Sequence, residues 1–111
     1  MIVFACPVYW FTITAQLKLF MDRLYGLWVE KTHCLRGKTF AALLVFGDAD
    51  PYLSGAVNAI HTFEDVARYL GARFAGVAYG SANDIGEADR NPELCDKAKS
   101  FGKALMRPAE R

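Results

Sequence analysis

The sequence predicts an α/β domain built on a parallel sheet, and three observations lead there. Apolar runs at residues 2–6, 39–46 and 73–79 are too uniformly hydrophobic for half-exposed antiparallel strands. Segments of helical periodicity follow each of them, over about residues 14–28, 54–70 and 91–107. The composition, 53% hydrophobic and 23% charged over 111 residues, suits one packed domain (1–111) and excludes a disordered tail.

Taken in order, Ile2–Cys6 is a short apolar run closed by Pro7, as in a strand covered on both faces. Thr14 offers a hydroxyl to cap the first helix, where Leu17, Phe20, Met21, Leu24 and Trp28 recur at three- and four-residue steps. That stripe places Trp28 in the core or an interface, and the helix frays near Gly26–Val29. Lys18 and Asp22, four apart, form a surface pair. Thr39–Phe46 is the second strand, broken by Gly47-Asp48-Ala49-Asp50-Pro51. The second helix starts near Ser54, faces inward with Ala56, Ile60, Phe63, Ala67 and Leu70, and ends at Gly71. In the third strand, Arg73–Tyr79, Ala75, Val77 and Tyr79 alternate against Phe74, Gly76 and Ala78. Asn91-Pro92 opens the third helix, Leu94, Ala98, Phe101 and Leu105 form its stripe, and Pro108 stops it.

Strand–helix alternation demands right-handed crossovers, so the loops Pro7–Ile13, Gly47–Leu53 and Gly80–Arg90 leave the carboxyl edge of the sheet. Ligands of open α/β sheets bind at that edge. With strands in chain order, the first two helices cover one face and only the third reaches the other. One helix does not shield a three-stranded parallel sheet, and the first strand leaves an open edge. The chain thus begins mid-fold, with Met1 already in a buried strand. The missing cover is expected from a second copy, a dimer joined along the bare face and first-strand edge.

Net charge of +1, with no basic block, argues against nucleic acid. Met1–Leu17 carries no charge, yet lacks a basic n-region and is interrupted by Pro7, Thr12, Thr14 and Gln16, so no membrane span or export signal is read there. Cys6, Cys34 and Cys95 are scattered and form no CxxC pair, which reads as reduced cytoplasmic thiols without zinc or disulfide. His33 and His61 have no paired ligand spacing and read as surface residues, and no metal site is expected. Asp48 and Asp50 suit turn chemistry; Asp84, Glu87 and Asp89 suit a solvated loop. No Ser-His-Asp or Cys-His set is legible for hydrolysis, and no catalytic residue is assigned.

The stretch Pro7-Val8-Tyr9-Trp10-Phe11-Thr12-Ile13-Thr14-Ala15-Gln16-Leu17-Lys18-Leu19-Phe20-Met21-Asp22-Arg23 resembles the flavodoxin-like NADPH-dependent FMN reductase family. So do Arg36-Gly37-Lys38, Gly55-Ala56-Val57 and Tyr79-Gly80-Ser81-Ala82-Asn83. The resemblance implies a flavodoxin-like doubly wound parallel sheet truncated to its last three βα units, from a five-stranded order 2-1-3-4-5. It further implies FMN at the carboxyl edge, reduced by NAD(P)H and reoxidised by a small-molecule electron acceptor. By matching position, Pro7, Val8, Tyr9, Trp10, Phe11 and Thr12 line the flavin, and Gly47, Asp48 and Ala49 form a second wall. Tyr9 and Trp10 equally suit packing at a strand end. Asp48 departs from the family's Gly-rich turn and places a carboxylate near the flavin's electron-rich edge. The family's Ser/Thr-rich phosphate loop, and the compact cysteine motif of its cluster-bearing members, are absent from these residues.

Three readings follow. The first is an FMN-dependent NAD(P)H oxidoreductase. The second is a shortened, catalytically silent relative serving as an oligomerisation or binding module. The third takes the chain as a piece of a longer product.

Overall fold

The computed structural model describes residues 1–107. In chain order the elements are β1 (Ile2–Tyr9), β2 (Thr12–Ile13), α1 (Ala15–Leu24), β3 (Trp28–Val29) and β4 (Thr32–His33), then β5 (Thr39–Phe46), α2 (Ala56–Leu70), β6 (Arg73–Ser81) and α3 (Pro92–Leu105). The expected helix stop at Pro108 lies outside the described residues. The sheet runs β2-β1-β5-β6, with β1, β5 and β6 parallel in chain order as predicted.

One face of this sheet meets α2 in a core of aromatic rings. Phe63 stacks on Phe4 at 5.4 Å and on Phe74 at 6.4 Å, and Phe4 meets Phe40 edge-on at 5.3 Å. Such pairs stabilise beyond their buried area by about 0.5–1.5 kcal/mol each. Ala56, Ala59, Phe63, Ala67 and Leu70 are the buried face of α2; Ile60, expected among them, is only half-buried, and Ala59 takes the inward position.

Several boundaries differ from those read in the sequence. The first strand does not stop at Cys6, because Pro7 needs no amide hydrogen on a strand whose outer side is largely unpaired, and β1 runs to Tyr9. There it turns back on itself: Tyr9 pairs with Thr12 and Val8 with Ile13, leaving Trp10 and Phe11 as a two-residue hairpin loop. The expected loop Pro7–Ile13 is therefore mostly ladder. In β6, one extra residue relative to β5 forms a bulge between the pairs Phe40↔Phe74 and Ala42↔Val77. The predicted alternation is broken there, and Phe74 joins Val77 and Tyr79 against the core.

The first helix, expected to reach residue 28, ends at Leu24. Beyond it, β3 and β4 form a small hairpin, and Trp28 is 45% exposed rather than in the core. His33, expected at the surface, is 3% exposed. Its Nε2 donates to the Leu24 carbonyl at 2.6 Å, and its Nδ1 accepts from the Leu35 amide at 3.1 Å. A buried ring bonded on both nitrogens fixes where helix α1 stops, which a periodicity argument has no means to detect.

The other face of the sheet is poorly covered. Among the described residues only α3 lies on it, with Leu94 closing onto Gly80 and Phe101 beside Gly76, and none of its residues is fully buried. Val3 is 45% exposed, Ala5 is exposed, and an open apolar cleft of about 380 Å³ runs between Ala5, Leu43, Val45 and α3. Along β1, only Val8 and Tyr9 pair on the outer side among the described residues.

Candidate functional site at the carboxyl edge

The parallel register of β1 and β5, with Pro7 beside Val45, carries both chains out of the sheet at one edge. The Tyr9–Thr12 hairpin and the Gly47–Ala49 turn are therefore neighbours, as expected. Pro7 and Val8 are half-buried ladder residues, whereas Tyr9, Trp10, Phe11 and Thr12 project into solvent. Trp10 is 90% exposed.

The loop between them has an unusual backbone. Trp10 has φ 49° and Phe11 φ 71°, both in the left-handed region. Two-residue hairpin turns of this kind normally use Asn-Gly or Gly-Gly, since a Cβ costs about 1–2 kcal/mol per residue at such angles. Two bulky aromatics held there, one almost wholly exposed, gain nothing for the core. Strain of that sort is characteristic of ligand sites.

Helix α2 meets this turn at its start. Asn58 Nδ2 donates to the Phe11 carbonyl at 3.0 Å. Gly55, at φ 81°, lies so close that a Cβ there would fall 2.5 Å from the Phe11 Cβ and carbonyl oxygen. Sequence reading missed both residues, although Gly55 belongs to one of the stretches that carry the resemblance. A hydrogen bond spanning 47 positions leaves no periodic trace.

The second wall is built differently. Asp48 Oδ1 accepts from the Ala49 amide at 2.6 Å, and Asp50 Oδ1 accepts from the Tyr52 and Leu53 amides at 2.7 and 3.0 Å. Both carboxylates thus serve the turn, as their spacing suggested. Asn83, from the third loop, sits over Gly47, its Oδ1 2.6 Å from where a Cβ would stand. That loop is ordered by Glu87, whose carboxylate accepts from the Asn83 and Asp84 amides at 2.7 and 2.9 Å. These bonds hold the carboxyl below its ordinary pKa. A groove of about 460 Å³ lies beside the hairpin, lined by Tyr9, Trp10, Thr12, Gln16, Lys18 and Thr62. Gly47, Asp48 and Ala49 do not line it, so the two walls share an edge without closing one cavity among the described residues.

A flat aromatic ligand fits the exposed rings of Tyr9, Trp10 and Phe11. An anionic tail finds less. The Thr14 hydroxyl accepts from Leu17 N, Ser54 Oγ from Ala56 N, and Asn91 Oδ1 from Leu94 N, so each helix start spends its side chain on itself. Among the described residues no group of three or more His, Cys, Asp or Glu side chains is placed to hold a metal, and no helix is long and apolar enough to cross a membrane.

Comparison with known proteins agrees with this architecture. A provisionally named NAD(P)H-dependent FMN-containing oxidoreductase of Bacillus subtilis (strain 168), YwqN, is 29% identical over 105 residues, covering 87% of this chain and 55% of that protein. The chain thus spans about half the length of this curated relative. Among solved structures, general stress protein 14 of Treponema denticola, determined in complex with FMN, superposes at TM-score 0.67 with 22% identity over 91% of this chain and 64% of that one. The Trp repressor binding protein of Bacillus subtilis superposes at 0.64 with 25% identity over 87% and 62%. The protein described as an NADPH-quinone reductase of P. pentosaceus does so at 0.67 with 15% identity over 96% and 67%. The family model for the flavodoxin-like fold matches residues 1–105, and with the parallel β1-β5-β6 order and its helices this chain belongs to that family.

Proposed function

We propose that this chain is the FMN-binding and NAD(P)H-oxidising part of an oxidoreductase of the flavin or quinone reductase type. The observation that carries the reading is the strained Trp10–Phe11 turn, which holds aromatic rings out at the ligand-binding edge of this fold. The likeness to an FMN-containing relative and to a structure holding FMN supports it.

In this reading Tyr9, Trp10 and Phe11 flank the isoalloxazine, with Pro7, Val8 and Thr12 behind them. Gly47, Asp48 and Ala49 stand on the opposite side. Bound FMN supplies hydride transfer between NAD(P)H and a small-molecule acceptor. The chain's own residues orient the ring, and they need no acid–base group of their own. Asp48, already bonded to Ala49 N, keeps its charge directed at the loop.

The bare α3 face and the unpaired flank of β1 support assembly with a second copy, a homodimer that covers both. Three free cysteines support a reducing, cytoplasmic setting. A second reading, a silent oligomerisation or binding module, is favoured by the self-capped helix starts, which among the described residues offer no side-chain cradle for the FMN phosphate.

FMN titration followed by fluorescence quenching, with NAD(P)H oxidation assayed on the same sample, separates the two. Saturable quenching with turnover supports the oxidoreductase. Colourless protein with no quenching at 100 µM FMN (on the order of 5 kcal/mol of binding left undetected) supports the module. A compact monomer by sedimentation at micromolar concentration would end the dimer reading.

A further inference from the structure

The Trp10–Phe11 turn does not hold itself. Two non-glycine residues in the left-handed region relax unless their surroundings over-determine them. The β1–β2 ladder fixes only two residue pairs, Val8↔Ile13 and Tyr9↔Thr12, and cannot by itself choose the angles of the loop beyond. What touches the loop from outside is the first turn of α2. Asn58 Nδ2 grips the Phe11 carbonyl, and Gly55 provides the only side-chain geometry that admits the Phe11 backbone at that distance. Asn58 is itself anchored, its amide donating to the Gly55 carbonyl at 3.0 Å and its carbonyl accepting from Thr62 Oγ1 at 2.9 Å.

We infer that Gly55 and Asn58 are positioning residues. They hold the Trp10–Phe11 turn in its positive-φ form and thereby aim the aromatic pair at the ligand edge. The inference rests on the flavin reading for its ligand, but the clamp itself is a property of the free protein. It also assigns α2 a part in the site, though none of its residues was expected there. Trp10 and Phe11 lie with ring centroids 5.6 Å apart and planes tilted by 55°, an arrangement that changes if either φ changes sign.

The test uses the full chain and three substitutions, two at Asn58 and one at Phe11. Asn58→Ala removes the donor. Asn58→Asp also removes it, since an ionised carboxylate only accepts, yet adds a negative charge in the first turn of α2, where it favours the helix. A role confined to supporting the helix predicts no loss in either variant, since alanine has the higher helix propensity and the carboxylate favours the helix start. A clamp predicts a loss at the turn in both.

In the flavin-free protein, strong intraresidue amide–Hα NOEs mark positive φ at Trp10 and Phe11. Both variants are expected to lose or broaden them, while Asn58→Asp melts at or above the wild-type temperature. FMN affinity, where the wild type binds, is expected to fall about threefold to thirtyfold in both. Replacing Phe11 by Gly, which adopts positive φ freely, is expected to abolish the effect of Asn58→Ala on the NOE at Trp10. NOEs unchanged in both variants would overturn the clamp. NOEs lost with FMN affinity equal to wild type would overturn its role in the site. A wild type that binds no FMN refutes the flavin reading, and the NOEs of the free protein then decide the clamp alone.

Discussion

His33 Nε2 stands 2.6 Å from the carbonyl oxygen of Leu24, the last residue of α1, and the imidazole is almost wholly buried. The same ring accepts from Leu35 N, so one side chain satisfies a helix end and starts the path into β5. His33→Ala leaves the Leu35 amide without a partner, leaves the Leu24 carbonyl with the Leu27 amide alone, and opens a void where the ring was. The expected loss is about 2–4 kcal/mol of unfolding free energy, read as a shifted urea midpoint at constant slope. His61, exposed beside Glu64, serves as the control, and His61→Ala is expected to stay within about 0.5 kcal/mol of wild type.

The glycines at the site differ in what blocks a side chain. At Gly55 the obstacle is the Phe11 backbone, and φ is positive, so Gly55→Ala is expected to cost at least about 2 kcal/mol. At Gly47 the obstacle is the tip of the Asn83 side chain, which swings away. Gly47→Ala is expected to cost less than about 1 kcal/mol. Thermal melts of the two variants check the order. Adding Asn83→Ala to Gly47→Ala is expected to return most of the small loss.

Trp10 and Phe11 set stability against function. Trp10→Gly relieves one left-handed side chain and removes a ring that is 90% exposed, so stability is expected to rise by up to about 1 kcal/mol. In the proposed flavin site the same change removes a ring contact. FMN affinity is expected to drop about threefold to tenfold, the equivalent of one aromatic pair. Unfolding curves and flavin titrations on one preparation show whether the two move in opposite directions.

Glu87 ties the third loop through the Asn83 and Asp84 amides, and these bonds lower its carboxyl pKa. A group depressed in the folded state contributes order above its unfolded pKa and loses it as pH falls through the folded value. The Asn83 and Asp84 amide resonances are therefore expected to be constant from pH 7 to about pH 5 and to shift together below the ordinary carboxylate range. Glu87→Gln, a weaker acceptor, is expected to show the low-pH positions at neutral pH.

Burial raises the pKa of the Cys6 thiol, while Cys34 is exposed. The thiolate is the reactive form. Iodoacetamide at pH 8 is expected to label Cys34 well before Cys6, as peptide mass mapping over time will show. Cys6 is expected to react at the rate of local opening of β1.

Much of the fold was open to reading along the chain, because runs of one period announce their element wherever they sit. Ile2–Cys6, Thr39–Phe46 and Arg73–Tyr79 declared a parallel sheet, although β1 is not covered on both faces as its apolar run suggested, and Thr14 and Asn91 marked helix starts by their own side-chain chemistry. The edge at which Tyr9, Trp10 and Gly47 gather followed from crossover handedness. What periodicity hides is any contact between distant positions. The end of α1 at Leu24 depends on a ring nine residues on, and the bulge that turns Phe74 inward depends on the neighbouring strand. The left-handed angles of Trp10 and Phe11 contradict local preference, and Gly55 and Asn58 approach the turn from a distant part of the sequence. Local preference is additive along a chain, whereas packing joins residues by distance, and the candidate site is made by the latter.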